Sequence, residues 1–227
     1  MLEVLYKDDV MVAINKPPGL LVHRSPIARD VDIFAIQLLR DQLDQHVYPV
    51  HRLDRKTSGV LLFTLDPEKH KLLQQQFEKK TIQKTYYAIV RGFTEQSGTI
   101  DYPLKRDDGK VQEAVTHYEC MAHSELPVPF GKHPTSRYSL VRITPETGRM
   151  HQIRKHMAHI FHPIVGDRPH GCNKQNRLFK EKWSLTEMML HAESLTLLHP
   201  DKQTDIRIRA DFPPEFRRMM ALMNFSL

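Results

Sequence analysis

One aspartate sits among two arginines, a histidine and a lysine in the segment His51-Arg52-Leu53-Asp54-Arg55-Lys56-Thr57-Ser58-Gly59. Nearby cations favour the ionised carboxylate and lower its pKa. Such a carboxylate is a poor general acid but a usable nucleophile or base. Thr57, Ser58 and Gly59 add hydroxyls and a flexible backbone to fix a turn. The commoner use of such a cluster is a structural ion pair at a strand end, because ion pairs are frequent and nucleophilic aspartates rare. Residue chemistry alone leaves both readings standing.

A second group of reactive side chains lies further on. His151, His156, His159 and His162 gather on and after one expected helix. Zinc sites use a cysteine pair, or a histidine pair with a carboxylate, at defined spacing. H-E-x-x-H is absent and Cys120 and Cys172 stand apart, so no metal is expected. Packing or phosphate contact is the expected use of these histidines. Around them are Arg149, Arg154, Lys155, Arg168, Lys174, Arg177, Lys180 and Lys182, opposed between 149 and 182 only by Asp167 and Glu181. Lys105, Arg106 and Lys110 add a basic loop. This pattern reads as a phosphate-tracking surface, with some members simply solvated.

The elements that must position these residues follow from pattern and punctuation. Val10–Ile14 and Val60–Thr64 read as buried strands, the first stopped by Asn15-Lys16-Pro17-Pro18-Gly19. Asp32–Leu43 has a helical period, with Asp30 or Asp32 as cap. Asp66 caps a helix that has Pro67 at its first position and runs to about Lys79, carrying Leu72, Leu73 and Phe77 inward. Strands are expected at Lys84–Arg91, Gly98–Leu104, Val115–Met121, Arg137–Ile143, Met188–Leu198 and Asp205–Ala210, with a turn at Asp107–Lys110. Helices are expected at Arg149–Ile160 and Phe212–Met223, and loops at Pro127–Pro134 and Pro163–Asn176. The sum is an α+β fold with a central mixed or antiparallel sheet and flanking helices and loops. No repeat or linker splits residues 1–227, so a single domain is expected.

Composition narrows the class. The chain has 227 residues, 40% hydrophobic and 26% charged, the balance of an ordinary globular domain. Thirty-three Lys and Arg against 27 acids give a net charge of +6, and 14 histidines add latent positive charge. Such a balance attracts polyanions, nucleic acid first and anionic membrane second, or is simply a solvated basic surface with no partner. Two cysteines cannot make a disulfide framework, and no run of about 18 apolar residues or secretory leader is present. A reducing, cytoplasmic location without membrane attachment is expected.

The nine residues from His51 to Gly59 resemble the catalytic motif H-R-L-D-x-x-T-S-G of the RluA-type pseudouridine synthases, matching every fixed position. Other segments follow in the family's order. Asn15-Lys16-Pro17-Pro18-Gly19-Leu20-Leu21-Val22-His23 is similar to N-K-P-x-G-L-x-x-H, and Lys84-Thr85-Tyr86-Tyr87-Ala88 to K-x-Y-x-A. Thr147-Gly148-Arg149-Met150-His151-Gln152-Ile153-Arg154 is similar to T-G-R-x-H-Q-I/L-R, and Leu190-His191-Ala192 to a late L-H-A element. The likeness covers about Asn15 to His199. The motifs begin almost at Met1, so no S4-type RNA-binding module is expected ahead of them.

The resemblance implies a pseudouridine synthase catalytic fold and a reaction. The N-glycosidic bond of a uridine breaks, the uracil rotates, and it rejoins through carbon 5, with no cofactor. It implies that Asp54 is the catalytic aspartate, acting either on the base or on the ribose. Arg154 is then the arginine that pairs with that carboxylate, where a bidentate guanidinium would hold it ionised. Tyr86 stacks on the target base, and Tyr87, on the other strand face, is structural. Arg52 fills the gap left by the flipped base, while His51, Ile153, Arg149 and Lys155 border the base or RNA. Lys16 and Pro17, with Thr57, Ser58 and Gly59, brace the site. The overall likeness points to a monomer acting on uridine 65 of a tRNA. The alternatives are a ribosomal-RNA-specific member, a non-catalytic RNA-binding protein on the same scaffold, and an unrelated metal-dependent hydrolase or nuclease.

Overall fold

The computed structural model describes residues 1–24 and 32–226. In chain order these form β1 (Glu3–Lys7), β2 (Met11–Lys16), α1 (Ala35–Leu43), β3 (Tyr48–Pro49), β4 (Ser58–Thr64), α2 (Pro67–Glu78), β5 (Gln83–Arg91), β6 (Ser97–Asp101), β7 (Leu104–Lys105) and β8 (Val111–Gln112). They continue with β9 (Val115–Leu126), β10 (Ser136–Pro145), α3 (Gln152–His159), α4 (Asn173–Trp183), β11 (Leu190–Leu198), β12 (Asp205–Arg209) and α5 (Pro214–Leu222). The fold is α+β, and it divides into two compact units. The first is Met1–Lys84 with Ala192–Asp211; the second is Thr85–His191 with Phe212–Leu227. No helix of the described residues is long and apolar enough to cross a membrane.

In the first unit the strand order is β1-β2-β4-β11, with β12 beside β11 and β3 beside β4. The β1/β2, β2/β4, β3/β4 and β11/β12 ladders are antiparallel. All seven residues of β4 are buried, which explains its unbroken apolar run. Its core comprises Met11, Ala13, Val60, Leu62, Leu73, Leu195, Leu197 and Ile208 with their neighbours. Strand β2 runs two residues past the expected stop: Asn15 pairs with Val60 and Lys16 with Gly59, so Pro17 is what ends the ladder.

The first helix starts at Ala35, later than its apolar period suggests, and Asp32 does not cap it. Backbone carbonyls do that work: Ala35 N–H donates to Leu21 O at 2.8 Å and Ile36 N–H to Val22 O at 3.1 Å. Asp30 lies outside the described residues. Helix α2 has the expected cap, Asp66 accepting from Glu68 N–H at 2.8 Å. Leu73 points inward, but Leu72 is 43% exposed, because consecutive helical positions cannot share a narrow buried face.

A carboxylate knot fastens the β1–β2 turn to the β11–β12 turn within this unit. Asp8 accepts from Val10 N–H and Met11 N–H at 3.0 Å each, Tyr6 Oη–H at 2.6 Å, His199 Nε2–H at 2.7 Å and Lys202 Nζ at 3.0 Å. His199 is fully buried, and its Nδ1 accepts from Asp201 and Lys202 N–H, which places its proton on Nε2. Burial opposes ionisation of Asp8, but its donors outweigh burial and hold the carboxyl well below the usual carboxylate range. As pH falls, the unfolded chain therefore takes up this proton before the folded one does. The knot's stabilisation is complete above the unfolded carboxyl value of about 3.9 and drains away below it. Asp8→Asn is expected to lower stability at pH 7 by about 2 kcal/mol. In urea titrations the gap to wild type should narrow markedly at pH 3; equal gaps at both pH values would contradict the assignment.

The second unit is built on an antiparallel sheet in the order β5-β10-β9-β6. Strands β9 and β10 form its longest hairpin, with a bulge at Leu140/Val141. Its core gathers Ala88, Ile89, Leu140, Val141, Ile153, Met157, Phe179, Phe216 and Met219 among others. Strands β7 and β8 close the expected turn, where Arg106 N–H bonds Lys110 O at 2.8 Å. Helix α3 begins at Gln152 rather than Arg149, because His151 is left-handed at φ 57°. Helix α4 begins at Asn173, inside the loop expected over Pro163–Asn176, and is not expected from the sequence because it carries no cap signature: Cys172 makes no side-chain cap bond. Its sequence NKQNRLFKEKW is mostly polar, yet it buries Phe179 and Gln175.

Candidate active site

In the first unit, the loop leading into β4 carries Asp54, which is half-buried. The loop closes on itself: Thr57 N–H donates to Asp54 O at 3.1 Å. It is also zipped to the turn after β2. Gly19 N–H donates to Arg55 O at 2.8 Å, and Arg55 Nε returns a bond to Gly19 O at 3.1 Å. Beneath the zipper is Lys16, fully buried. Its ammonium donates to Pro17 O at 2.9 Å, Leu20 O at 2.9 Å and Arg55 O at 3.1 Å. Burial pushes the Lys16 pKa down to about 7, and the negative charge of Asp54 opposes that shift.

Lys16 is thus the pin joining the Pro17–Leu20 turn to the Asp54 loop. Lys16→Met keeps most of the volume but leaves three carbonyls without this donor. A loss of about 3 kcal/mol is expected in chemical denaturation, with slower turnover as the loop loosens. An unchanged denaturation midpoint would contradict the pinning role.

Thr57 and Ser58 are 2% and 4% exposed, and Ser58 and Gly59 already belong to β4 rather than to a turn. Gly59 has φ +112°, and a Cβ there would lie 2.1 Å from Ala192 O. Only glycine permits that approach of β11. The His51 ring accepts from Leu62 N–H at 3.1 Å and stacks on Phe77 at 5.0 Å. Burial pushes its pKa down to about 4; the hydrogen bond with the Arg52 backbone opposes this, and the charge of Lys84 adds a smaller downward push. It is a neutral imidazole that shapes the loop. Arg52 and Pro17 are exposed.

In the second unit, the segment Thr147–Arg154 folds around Gln152. Gln152 Oε1 accepts from Thr147 Oγ1–H at 2.5 Å and Arg149 N–H at 3.0 Å, and its Nε2 donates to Val115 O and Thr116 Oγ1 at 2.9 Å each. This network replaces an ordinary cap and sets the start of α3. One turn in, Arg154 is 7% exposed and makes a two-pronged pair with Asp167, itself 1% exposed. Nε donates to Oδ2 and Nη2 to Oδ1, both at 2.8 Å. Asp167 was visible in the sequence only as one of two acids in a basic stretch, and that isolation was the available signal. His170 N–H also approaches Asp167 Oδ1 at 3.4 Å, and its ring bonds His151 Nδ1 at 2.9 Å.

The remaining residues sort by burial. Ile153 belongs to the core of this unit. Arg149 Nε donates to Glu113 O at 3.1 Å, and Lys155 is half-buried. Tyr86 and Tyr87 are both half-buried on β5, opposite Ile143 and Arg142 of β10. Tyr87 meets Phe212 edge-on at 5.4 Å, a structural contact. The histidines are engaged in packing and hydrogen bonds: His156 bonds Thr116 Oγ1 and Tyr102 O at 2.9 Å each, His159 stacks on Tyr102 at 3.7 Å, and His162 bonds Arg91 O at 2.8 Å.

The chain is similar to several known proteins. The sequence model of the family described as RNA pseudouridylate synthase matches residues 10–159. The tRNA pseudouridine synthase C of Pasteurella multocida (strain Pm70) is 48% identical over 237 residues, covering 100% of this chain and 98% of that protein. The protein of the same name from Haemophilus influenzae is 46% identical over 231 residues, covering 97% of each. Among solved structures, Human RNA Pseudouridylate Synthase Domain Containing 4 matches with a TM-score of 0.75 at 24% identity, over 99% of this chain and 94% of that one. Human RNA Pseudouridylate Synthase Domain Containing 1 matches with a TM-score of 0.76 at 20% identity, over 100% and 96%. At these identities the structural matches speak for the fold.

Proposed function

The chain belongs to the RNA pseudouridylate synthase family and is an enzyme that isomerises uridine to pseudouridine; from that premise we propose that its substrate is a tRNA, modified at uridine 65. The names of its relatives support tRNA over ribosomal RNA. The observation that carries the chemistry is the Asp54 loop, a half-buried carboxylate on a backbone pinned from below by Lys16. Pinning matters because catalysis rewards groups held in place before the substrate arrives.

In this reading Asp54 is the catalytic carboxylate, and Arg154 is the arginine the family assigns to it. Tyr86 offers its ring to the flipped uracil, which pays back part of the unstacking. Arg52, exposed beside Asp54, occupies the gap in the RNA. His51, Arg149, Ile153 and Lys155 shape or border the RNA site, and Lys16, Pro17, Thr57, Ser58 and Gly59 hold it. No cofactor or metal takes part, since the isomerisation oxidises nothing and imports no group. The whole chain acts as one catalytic domain, as a monomer, in the cytoplasm.

The test follows hydrogen. Rejoining at carbon 5 expels the proton from that carbon, so tRNA transcribed with [5-³H]uridine should release tritium to water, one equivalent per molecule. Release from ribosomal RNA fragments and not from tRNA would move the substrate to ribosomal RNA. No release from either would overturn the proposal.

A further inference from the structure

The second unit contains a concavity of about 480 Å³ that the chemistry above does not use. It lies between α4 and the turn through Gly166, and its lining includes Arg168, Arg177 and Lys180. We propose that this pocket seats the phosphodiester backbone of the substrate RNA away from the reacting base. The inference rests on the RNA-modifying reading and adds to it a defined contact.

Four features carry it. The first is charge. Arg168, Arg177 and Lys180 are all exposed, and among the described residues none of them is in an ion pair. Glu181 is the one acid in the lining. Arg177 and Lys180 stand three apart on α4 and share a face, where like charges repel. A phosphate relieves that repulsion, and arginine's planar fork suits its oxygens.

The second is size: the volume falls within the range of small-ligand sites, enough for a phosphate with its ribose. The third is rigidity. The floor is Phe179, fully buried and packed edge-on against Tyr138 at 5.3 Å. Gly166 closes the wall: at φ +82° a Cβ would come within 2.0 Å of Glu187 O.

The fourth is connection to the site. Asn176, in the lining, accepts from Gly166 N–H at 3.0 Å and donates to Asp167 O at 2.6 Å. Gly166 and Arg168 therefore flank the aspartate that grips Arg154. A strand seated in the pocket rests on the same turn that orients Arg154.

The test is the double variant Arg177→Glu/Lys180→Glu, with Arg177→Gln/Lys180→Gln as a milder version and Lys7→Glu/Lys71→Glu as a charge-matched control. The Glu pair should raise the KM for an unmodified tRNA transcript at least tenfold, with kcat within twofold. Filter binding should show the salt dependence of affinity falling by about one to two in log–log slope. The Gln pair should raise KM about threefold, and thermal melting should match wild type for both. A KM rise no greater than the control's would overturn the proposal. So would an unchanged KM accompanied by stabilisation from inorganic phosphate that the variants lose, which would mark a free-anion site. The binding assay reads the pocket even if no pseudouridine forms, so failure of the activity and failure of the pocket are separable.

Discussion

Asp54→Asn is expected to lower kcat by about 10⁴-fold or more while changing tRNA affinity by no more than about threefold. The size of the first effect comes from removing the reacting group itself, which costs far more than removing a supporting contact. The smallness of the second follows from where affinity comes from, mainly cations on phosphates spread over a surface. Asparagine keeps the shape of the side chain but not its charge. That charge supports the ammonium of Lys16 beneath the loop. Melting of the variant should therefore be compared with wild type, and single-turnover kinetics run below its midpoint. Retained turnover in a folded Asp54→Asn protein would remove Asp54 from the chemistry.

Asp167→Ala is expected to have the largest effect on stability. It removes the two-pronged partner of the Arg154 guanidinium, which is 7% exposed. Removing one member of a buried pair costs about 3–5 kcal/mol. For a chain of this size that lowers the melting midpoint by about 10 °C. The double variant Arg154→Met/Asp167→Leu removes both charges and should recover most of that loss. It should nevertheless stay inactive, because the proposal gives Arg154 a part in catalysis. Recovery of stability and activity together would make the pair purely structural.

Much of the site was legible because its chemistry resides in residue identity. HRLDRKTSG announces an aspartate among cations whatever the fold around it. The buried runs of β2 and β4, the Asp66 cap and the Asp107–Lys110 turn were legible for the same reason. What the sequence hides is written in backbone atoms and distant contacts. Lys16 works on three carbonyls, which have no residue identity. The demand for glycine at 59 comes from the carbonyl of Ala192, far along the chain. Helix α1 is started by the carbonyls of residues 21 and 22, so the helical period overran its true beginning. Helix α4 lacks a cap and shows only one fully buried apolar side chain, Phe179. The Arg154–Asp167 pair joins α3 to a later turn, a connection that spacing alone does not suggest.

The most direct measurement is nucleotide-resolution pseudouridine mapping of unmodified tRNA transcripts incubated with the purified protein, with chelator present and no cofactor added. The account predicts a single new pseudouridine, at position 65 in the T-stem, formed by wild type and absent with Asp54→Asn. No pseudouridine in any tRNA, or one formed equally by the Asp54→Asn protein, would contradict it.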